Sequence, residues 1–296
     1  MSAGQSPGAS DRVLTYTRVI AAIILPFLGA AVVLLYLLPD DTDATFAWTI
    51  QPALTAMFLG CAYAGGIVFF VHVLRTDRWH RVKYGFPAVI VFASLLAVTT
   101  FLHWDRFHFG HISFYTWVTL YLTTPVLVLV AAARNWRADP GTLERRDYAI
   151  PRPARIAVAL VGIVAFAFGL ALFVAPAAFL DAWAWQLTPL TGRVVGAILT
   201  LPGMVNVWLL VDARWSAFRW IFQAQIASLV FIAGALVFAS GDLAWRTPAG
   251  PAFVAGIAVS LVAFVGFYGY CERQSLAGES AVGEQLHPHD DQAEQH

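Results

Sequence analysis

Charge is what this sequence has least of. Asp, Glu, Lys and Arg make up 12% of its 296 residues, far less than a soluble domain of this size needs to cover its surface. No acidic or basic side chain lies near the centre of any long apolar run. Proton-coupled carriers and pumps usually place an ionisable group there despite its cost, so the absence argues against a proton-driven carrier, though not against a facilitator. Cysteine is as scarce: Cys61 and Cys271 fall in different parts of the expected membrane, too far apart for a disulfide, and each reads as a packing residue. The chain has no nucleotide-binding glycine loop, no Gly-x-Ser-x-Gly elbow and no His-Glu-x-x-His helix. No motif names a reaction, and no nucleic-acid partner is expected.

What is abundant is hydrophobic sequence, 59% of the chain with a mean hydropathy of +0.68. It falls in eight nearly charge-free stretches of roughly 17–22 residues, the length that a bilayer core of about 30 Å requires. These are residues 19–38, 53–74, 84–102, 114–133, 156–175, 194–211, 218–238 and 252–270. The fold class expected is all-α integral membrane, with eight transmembrane helices in a lipid bilayer. With the N-terminus inside, the inner segments hold Arg12, Arg18, Arg75, Arg78, Arg81, Lys83, Arg134, Arg137, Arg145, Arg146, Arg152, Arg155, Arg214, Arg219 and Arg273. The outer segments hold only Arg106, Arg193 and Arg246. Basic excess in short loops marks the cytoplasmic side, so both termini are expected in the cytoplasm and the location is the cell (inner) membrane. The N-terminus is Ser/Gly-rich without a basic n-region, so the first run is expected to be kept as a span.

A shift of about 136–137 positions brings the second half of the chain into register with the first. Trp48-Thr49-Ile50-Gln51-Pro52 meets Trp185-Gln186-Leu187-Thr188-Pro189, and Gly60 meets Gly196. Arg78-Trp79 meets Arg214-Trp215, Phe86 meets Phe222, and Asp105 meets Asp242. The pattern predicts a duplicated 4+4 parallel repeat. Residues 1–15 are expected to be a disordered N-terminus and 16–134 the first four-helix half. A cytoplasmic linker rich in Arg, Asp and Pro follows at 135–155, then the second half at 156–271 and a disordered tail at 272–296. The tail carries His287, His289, Asp290, Asp291 and His296, a solvated segment with at most weak metal affinity.

Two places are candidates for chemistry. His103, Asp105, His108 and His111 crowd the turn after the third span, and imidazole with carboxylate suits zinc, copper or haem iron. The competing readings are an interfacial aromatic-belt segment and a titrating sensor. Thr99, Thr100 and His103 on one span and Tyr115, Thr116, Thr119 and Thr123 on the next form polar stripes leading from this turn down to Pro125. The second place is a pair of glycine and proline sites in matching positions, Gly65-Gly66 and Pro202-Gly203. Paired interruptions of this kind point to a transporter's cavity, and close helix packing is the alternative. Nearby polar side chains are His72, Asn206, Gln223 and Gln225. Trp48, Trp183 and Trp185 on the outer side, and Trp79 and Trp215 on the inner, read as interface anchors.

The stretch Val174-Ala175-Pro176 through Leu187-Thr188-Pro189-Leu190-Thr191-Gly192-Arg193-Val194-Val195-Gly196-Ala197 resembles one in uncharacterised bacterial membrane proteins built from four-helix units. There a loop ending in Pro-Leu-x-x-Arg-x-x-Gly opens a span. The resemblance implies a bacterial four-span unit and carries no activity. Three functions remain open. The first is a non-catalytic accessory or structural membrane protein, homo-oligomeric or bound to a partner. The second is a small-molecule transporter or facilitator working at the paired interruptions, and the third a metal- or haem-binding protein using the histidine turn.

Overall fold

The structure, a computed structural model, describes residues 10–144 and 147–286. Among these residues it is all-helical, with 79% helix and no strands. The elements are α1 (Thr15–Val32, continued by a π-turn at Val33–Leu37), the single-turn α2 (Thr42–Thr45), α3 (Ala53–Arg75), α4 (Gly85–Leu102) and α5 (Ile112–Asn135). They continue with α6 (Arg152–Val174), α7 (Pro189–Asn206), α8 (Arg219–Phe238) and α9 (Ala249–Leu286). All but α2 are long and apolar enough to cross a membrane, giving eight candidate spans that overlap the eight expected stretches.

Local chemistry sets where the spans begin. Thr188 and Thr191 form a capping box ahead of α7, with Pro189 at the first helical position, where its fixed φ suits a helix and its missing N–H costs nothing. The His111 ring accepts from Ser113 N–H and caps α5. In the interior, α3 packs on α8 and α4 on α7, and α1, α5, α6 and α9 flank α3, α4, α7 and α8 respectively. The best-filled seam is α6 on α7. A Cβ on Gly196 would lie 2.6 Å from the Gly169 carbonyl oxygen and 2.8 Å from the Phe173 nitrogen, both rigid backbone. A Cβ on Gly256 of α9 would meet nothing within 4 Å. Gly196→Ala is therefore expected to destabilise by about 1–3 kcal/mol, as overpacking does. Gly256→Ala is expected to be neutral or to stabilise by up to about 1 kcal/mol through helix propensity. Unfolding of both variants in mixed micelles checks the pair.

Several expectations change on contact with the structure. Trp48, Trp79, Trp183, Trp185 and Trp215 are buried rather than placed as interface anchors. The loops before α3 and α7, and those before α4 and α8, fold inward over the bundle ends and carry these rings with them. Residues 11–14 are pinned: Asp11 N–H donates to the Ala138 carbonyl, Val13 N–H to the Asp77 carbonyl and Leu14 N–H to Asn135 Oδ1. Helix α9 is continuous past 271 to Leu286, and Glu272 within it accepts from Trp215 Nε1 at 2.7 Å and sits 2.7 Å from Arg219 Nε. Residues 1–9, 145–146 and 287–296, including His287, His289, Asp290, Asp291 and His296, lie outside the described residues.

Candidate functional site

The histidine turn is knitted into the loops around it. Arg193 Nη1 lies 2.8 Å from His103 Nε2; since guanidinium can only donate, His103 accepts through a neutral ring. Burial and the Arg193 charge both lower the His103 pKa. His108 Nδ1 donates to the Phe46 carbonyl at 3.1 Å, which leaves Nε2 to accept from the Thr49 hydroxyl at 3.1 Å. His111 caps α5, and Asp105 is exposed and paired with Arg106 at 3.3 Å. The four side chains point to four different partners and do not converge on one point. Among the described residues, the group of His, Cys, Asp or Glu donors that does converge within 4.8 Å is Asp11, His80 and Asp139, at the opposite end.

The second candidate region is a cavity. About 340 Å³ lies between α3, α4, α7 and α8, with side chains from α1, α5, α6 and α9 completing its wall. Gly65, Gly66, Pro202 and Asn206 all line it. Helices α3 and α7 run through these positions without a break, so the lining is built by small side chains and a tolerated proline rather than by unwound backbone. Gly65 lies so close to Ser228 and the Ala224 carbonyl that a Cβ there would overlap both. Gly203 faces away from the cavity, where a Cβ would be 2.5 Å from the Gly162 carbonyl of α6.

Thr119 and Thr123 lie on the exposed flank of α5 and are not part of the cavity wall. The Thr123 hydroxyl bonds back to the Thr119 carbonyl at 2.7 Å, a contact that lets threonine face lipid without an unsatisfied donor. Pro125 is half-buried beside them. The inward stripe of α5 is instead Phe114, Trp117, Tyr121 and Val128 at helical spacing; Leu120, Tyr121 and Thr124 reach the cavity.

The polar groups of the cavity are few. Asn206 is fully buried; its Oδ1 accepts from Gln225 Nε2 at 3.2 Å and its Nδ2 has no partner. Tyr63 and Tyr121, both buried, share a hydrogen bond between their hydroxyls at 2.5 Å. Phe27 and Val161 line the cavity and are also exposed on the outside of the bundle, so the space communicates with the apolar surroundings on the flanks. Sequence reasoning missed Tyr63 and Tyr121, since an aromatic inside an apolar run carries no mark of which way it faces. His72 and Gln223 form a separate chain with Tyr268, the ring of His72 stacking on Trp220.

The arginine-rich end is closed by an ionic lattice. Asp11, in the left-handed region at φ 39° that Asp tolerates better than most residues, accepts from His80 N–H and holds His80 Nδ1 at 2.6 Å. His80 Nε2 lies 3.0 Å from Glu144 and 3.2 Å from the Ser216 hydroxyl. Asp11, His80 and Ser216 thus stand in the order of a serine-hydrolase relay, but Ser216 donates its proton to Asp147 Oδ2 at 2.6 Å. A hydroxyl committed to a carboxylate, beside an imidazole held between two more, is a structural lattice. The Asp11, His80 and Asp139 group is not a vacant cation site either, because Lys83 and Arg214 already neutralise Asp139.

Burial alone would lower the His80 pKa, but its bonds to Asp11 and Glu144 win and raise it. Burial would raise Glu144, but His80 and Arg81 bring it down to about 2. The His80 contribution to stability is therefore complete below its ordinary value of 6.5 and is lost as pH rises through the raised one. The Glu144 contribution is present above its ordinary value of 4.5 and lost as pH falls toward about 2. The thermal midpoint in detergent should decline as pH rises above 6.5, and His80→Gln should remove that decline. An unchanged pH profile in the variant would mean the imidazolium contributes nothing.

The sequence matches no family model, no curated protein and no solved structure. Fold and site together define a class: a helical protein with eight candidate spans, capped at both ends and enclosing an apolar cavity between its central helices.

Proposed function

We propose that the protein is a duplicated, multi-pass membrane protein that binds a lipid-soluble small molecule in its central cavity, as a facilitator or carrier without a catalytic step. The observation that carries this reading is the cavity itself, of a size typical of small-molecule sites and lined by Gly65, Gly66, Pro202 and Asn206. Those residues come from α3 and α7, the second helix of each proposed half.

The duplication is supported by hydrogen bonds that recur at the same shift. Val13 N–H to the Asp77 carbonyl corresponds to Ile150 N–H to the Ala213 carbonyl. Trp79 N–H to the Asp11 carbonyl corresponds to Trp215 N–H to the Tyr148 carbonyl, and His108 N–H to the Ala47 carbonyl corresponds to Ala244 N–H to the Ala184 carbonyl. Exchanging the halves also turns the α3–α8 contact into the α7–α4 contact. The cavity then lies where the halves meet, the usual place for a substrate in repeat-built transporters. The excess of arginine around the Asp11–His80 end supports a cytoplasmic location for that end. An accessory role draws on a different observation: the outward face of α9, with Ala255, Gly256, Val259 and Ala263, is exposed among the described residues.

The test is binding of methylnaphthalene, a compact hydrocarbon, followed as a concentration-dependent rise in thermal midpoint of detergent-purified protein. Gly66→Phe serves as the blocked control, since a side chain there meets only the flexible tip of Leu28 before entering the cavity. A rise in wild type that is absent in Gly66→Phe supports the reading. Equal behaviour of the two proteins defeats it.

A further inference from the structure

Resting on the proposed cavity, we infer that its ligand is a neutral, lipid-soluble carbonyl compound whose oxygen accepts a hydrogen bond from Asn206 Nδ2. Three observations converge on this chemistry. The first is the character of the wall: among the residues lining the cavity there is no Asp, Glu, Lys, Arg or His. A charged ligand would have no counter-charge there and would be desolvated at great cost. The body of the ligand must be apolar and its polar part uncharged.

The second observation is Asn206. It is wholly buried, it lines the cavity, and its backbone is held by the close approach of α6, where a Cβ on Gly162 would lie 2.8 Å from Asn206 Cβ. Gln225 Nε2 donates to Asn206 Oδ1, so Oδ1 is occupied while Nδ2 has no partner. A buried donor left unpaired is destabilising, so a ligand that supplies an acceptor gains what the unliganded protein lacks. A pure hydrocarbon of the same shape fills the space and leaves the donor as it was.

The third observation is the tyrosine pair. Tyr63 and Tyr121 both line the cavity, and one oxygen–oxygen contact joins their hydroxyls. Two phenols carry two protons, and their mutual bond uses one. The remaining proton is a second donor available to an acceptor on the ligand. Asn206 Nδ2 is the fully buried atom of this wall without a partner, and together with the spare tyrosine proton it favours a ligand that brings an acceptor, such as a ketone, ester or quinone oxygen. Such a molecule dissolves in the bilayer and reaches the cavity along the flanks marked by Phe27 of α1 and Val161 of α6.

The test compares methylnaphthoquinone with methylnaphthalene, two probes of one skeleton that differ in their carbonyl oxygens, on detergent-purified full-length protein by calorimetry. We expect the quinone to bind about ten- to a hundredfold more tightly to wild type, the difference one to two hydrogen bonds make when a buried donor is otherwise unpaired. In Asn206→Leu most of that difference should vanish while methylnaphthalene binds as before, which also shows that the variant is folded. The carbonyl stretch of bound quinone in wild type, read by infrared difference spectroscopy, should lie below its frequency in hydrocarbon solvent. This second readout needs no variant. Equal binding of the two probes to wild type, or an unshifted carbonyl band, overturns the carbonyl assignment and leaves the cavity reading standing. Tighter binding of methylnaphthol than of the quinone also overturns it, because it makes the free group an acceptor. If neither probe binds wild type, the cavity reading itself has failed.

Discussion

Arg214→Met will destabilise the protein by about 3–5 kcal/mol, the range found when one partner of a buried ion pair is removed and the other stays behind. Arg214 is placed to make the loss large. Its Nη1 and Nη2 bind Asp139 in a fork at 2.8 and 2.7 Å, while Nε and Nη2 reach Asp212 at 3.0 and 2.6 Å. All three side chains are at least nine-tenths buried. Burial would raise the carboxyl pKa values, but the bonds to Arg214 bring both Asp139 and Asp212 below the ordinary range. Their contribution is present above the ordinary carboxylate value and lost as pH falls through the lowered ones. Without the guanidinium, desolvation dominates at Asp212, and Lys83 alone holds Asp139. The variant should then become more stable relative to wild type as pH falls, because protonation relieves the stranded charge. Lysine cannot replace the fork geometrically, so Arg214→Lys should recover only part of the loss. Arg78, which the proposed duplication puts in the matching position, is more than half exposed and lies 3.5 Å from Glu144; Arg78→Met should change stability by no more than about 1 kcal/mol. Urea or SDS unfolding of the three variants in mixed micelles, across pH, measures the set. A loss at Arg214 no larger than that at Arg78 would show that the lattice does not hold this end together.

This lattice was the part of the molecule least visible in the sequence. Asp139, Asp147, Glu144 and Asp11 sit in segments whose composition says loop and linker, and their partners lie far away along the chain. No spacing rule joins them; only the folded bundle brings them together. The spans were legible for the opposite reason, since an apolar run long enough for a bilayer has little else to become. The cavity was half legible. Gly65, Gly66 and Pro202 stand out because small and helix-breaking residues inside a span need a cause. Asn206 stands out because an amide in that setting needs a partner. Thr119 and Thr123 misled because a hydroxyl suggests an inward face, whereas a bond back to its own helix makes it equally at home against lipid. Aromatic residues near span ends were ambiguous in the same way. A tryptophan expected at the headgroups and one folded under a loop have the same sequence signature, and only Trp104 and Trp245 are substantially exposed.

Trp185 carries the second large prediction, at the end opposite the lattice. Its ring is almost fully buried and packs edge-on or tilted against Phe58, Trp183 and Phe253, with centroids 5.6, 5.3 and 5.1 Å away. Its Nε1–H donates to the Thr55 hydroxyl at 2.8 Å, which ties the loop before α7 to the first turn of α3. Trp185→Ala should cost about 3–5 kcal/mol, the usual range for deleting a buried aromatic that its neighbours cannot replace. Thr55→Val removes the hydrogen bond with little change of shape and should cost about 1 kcal/mol or slightly more, because a buried indole N–H is then left unpaired. The two losses should not add in the double variant, since the alanine has no donor left for Thr55 to satisfy; coupling of this kind is what a double-mutant cycle reads. Trp48, the residue matching Trp185 under the proposed duplication, packs on Phe46, Phe107 and Trp117 but its Nε1–H has no partner. Trp48→Phe should therefore be milder than Trp185→Phe, because only the second breaks a hydrogen bond along with the packing. Unfolding in mixed micelles decides it, and the reverse order would assign the outer cap's stability to ring packing alone.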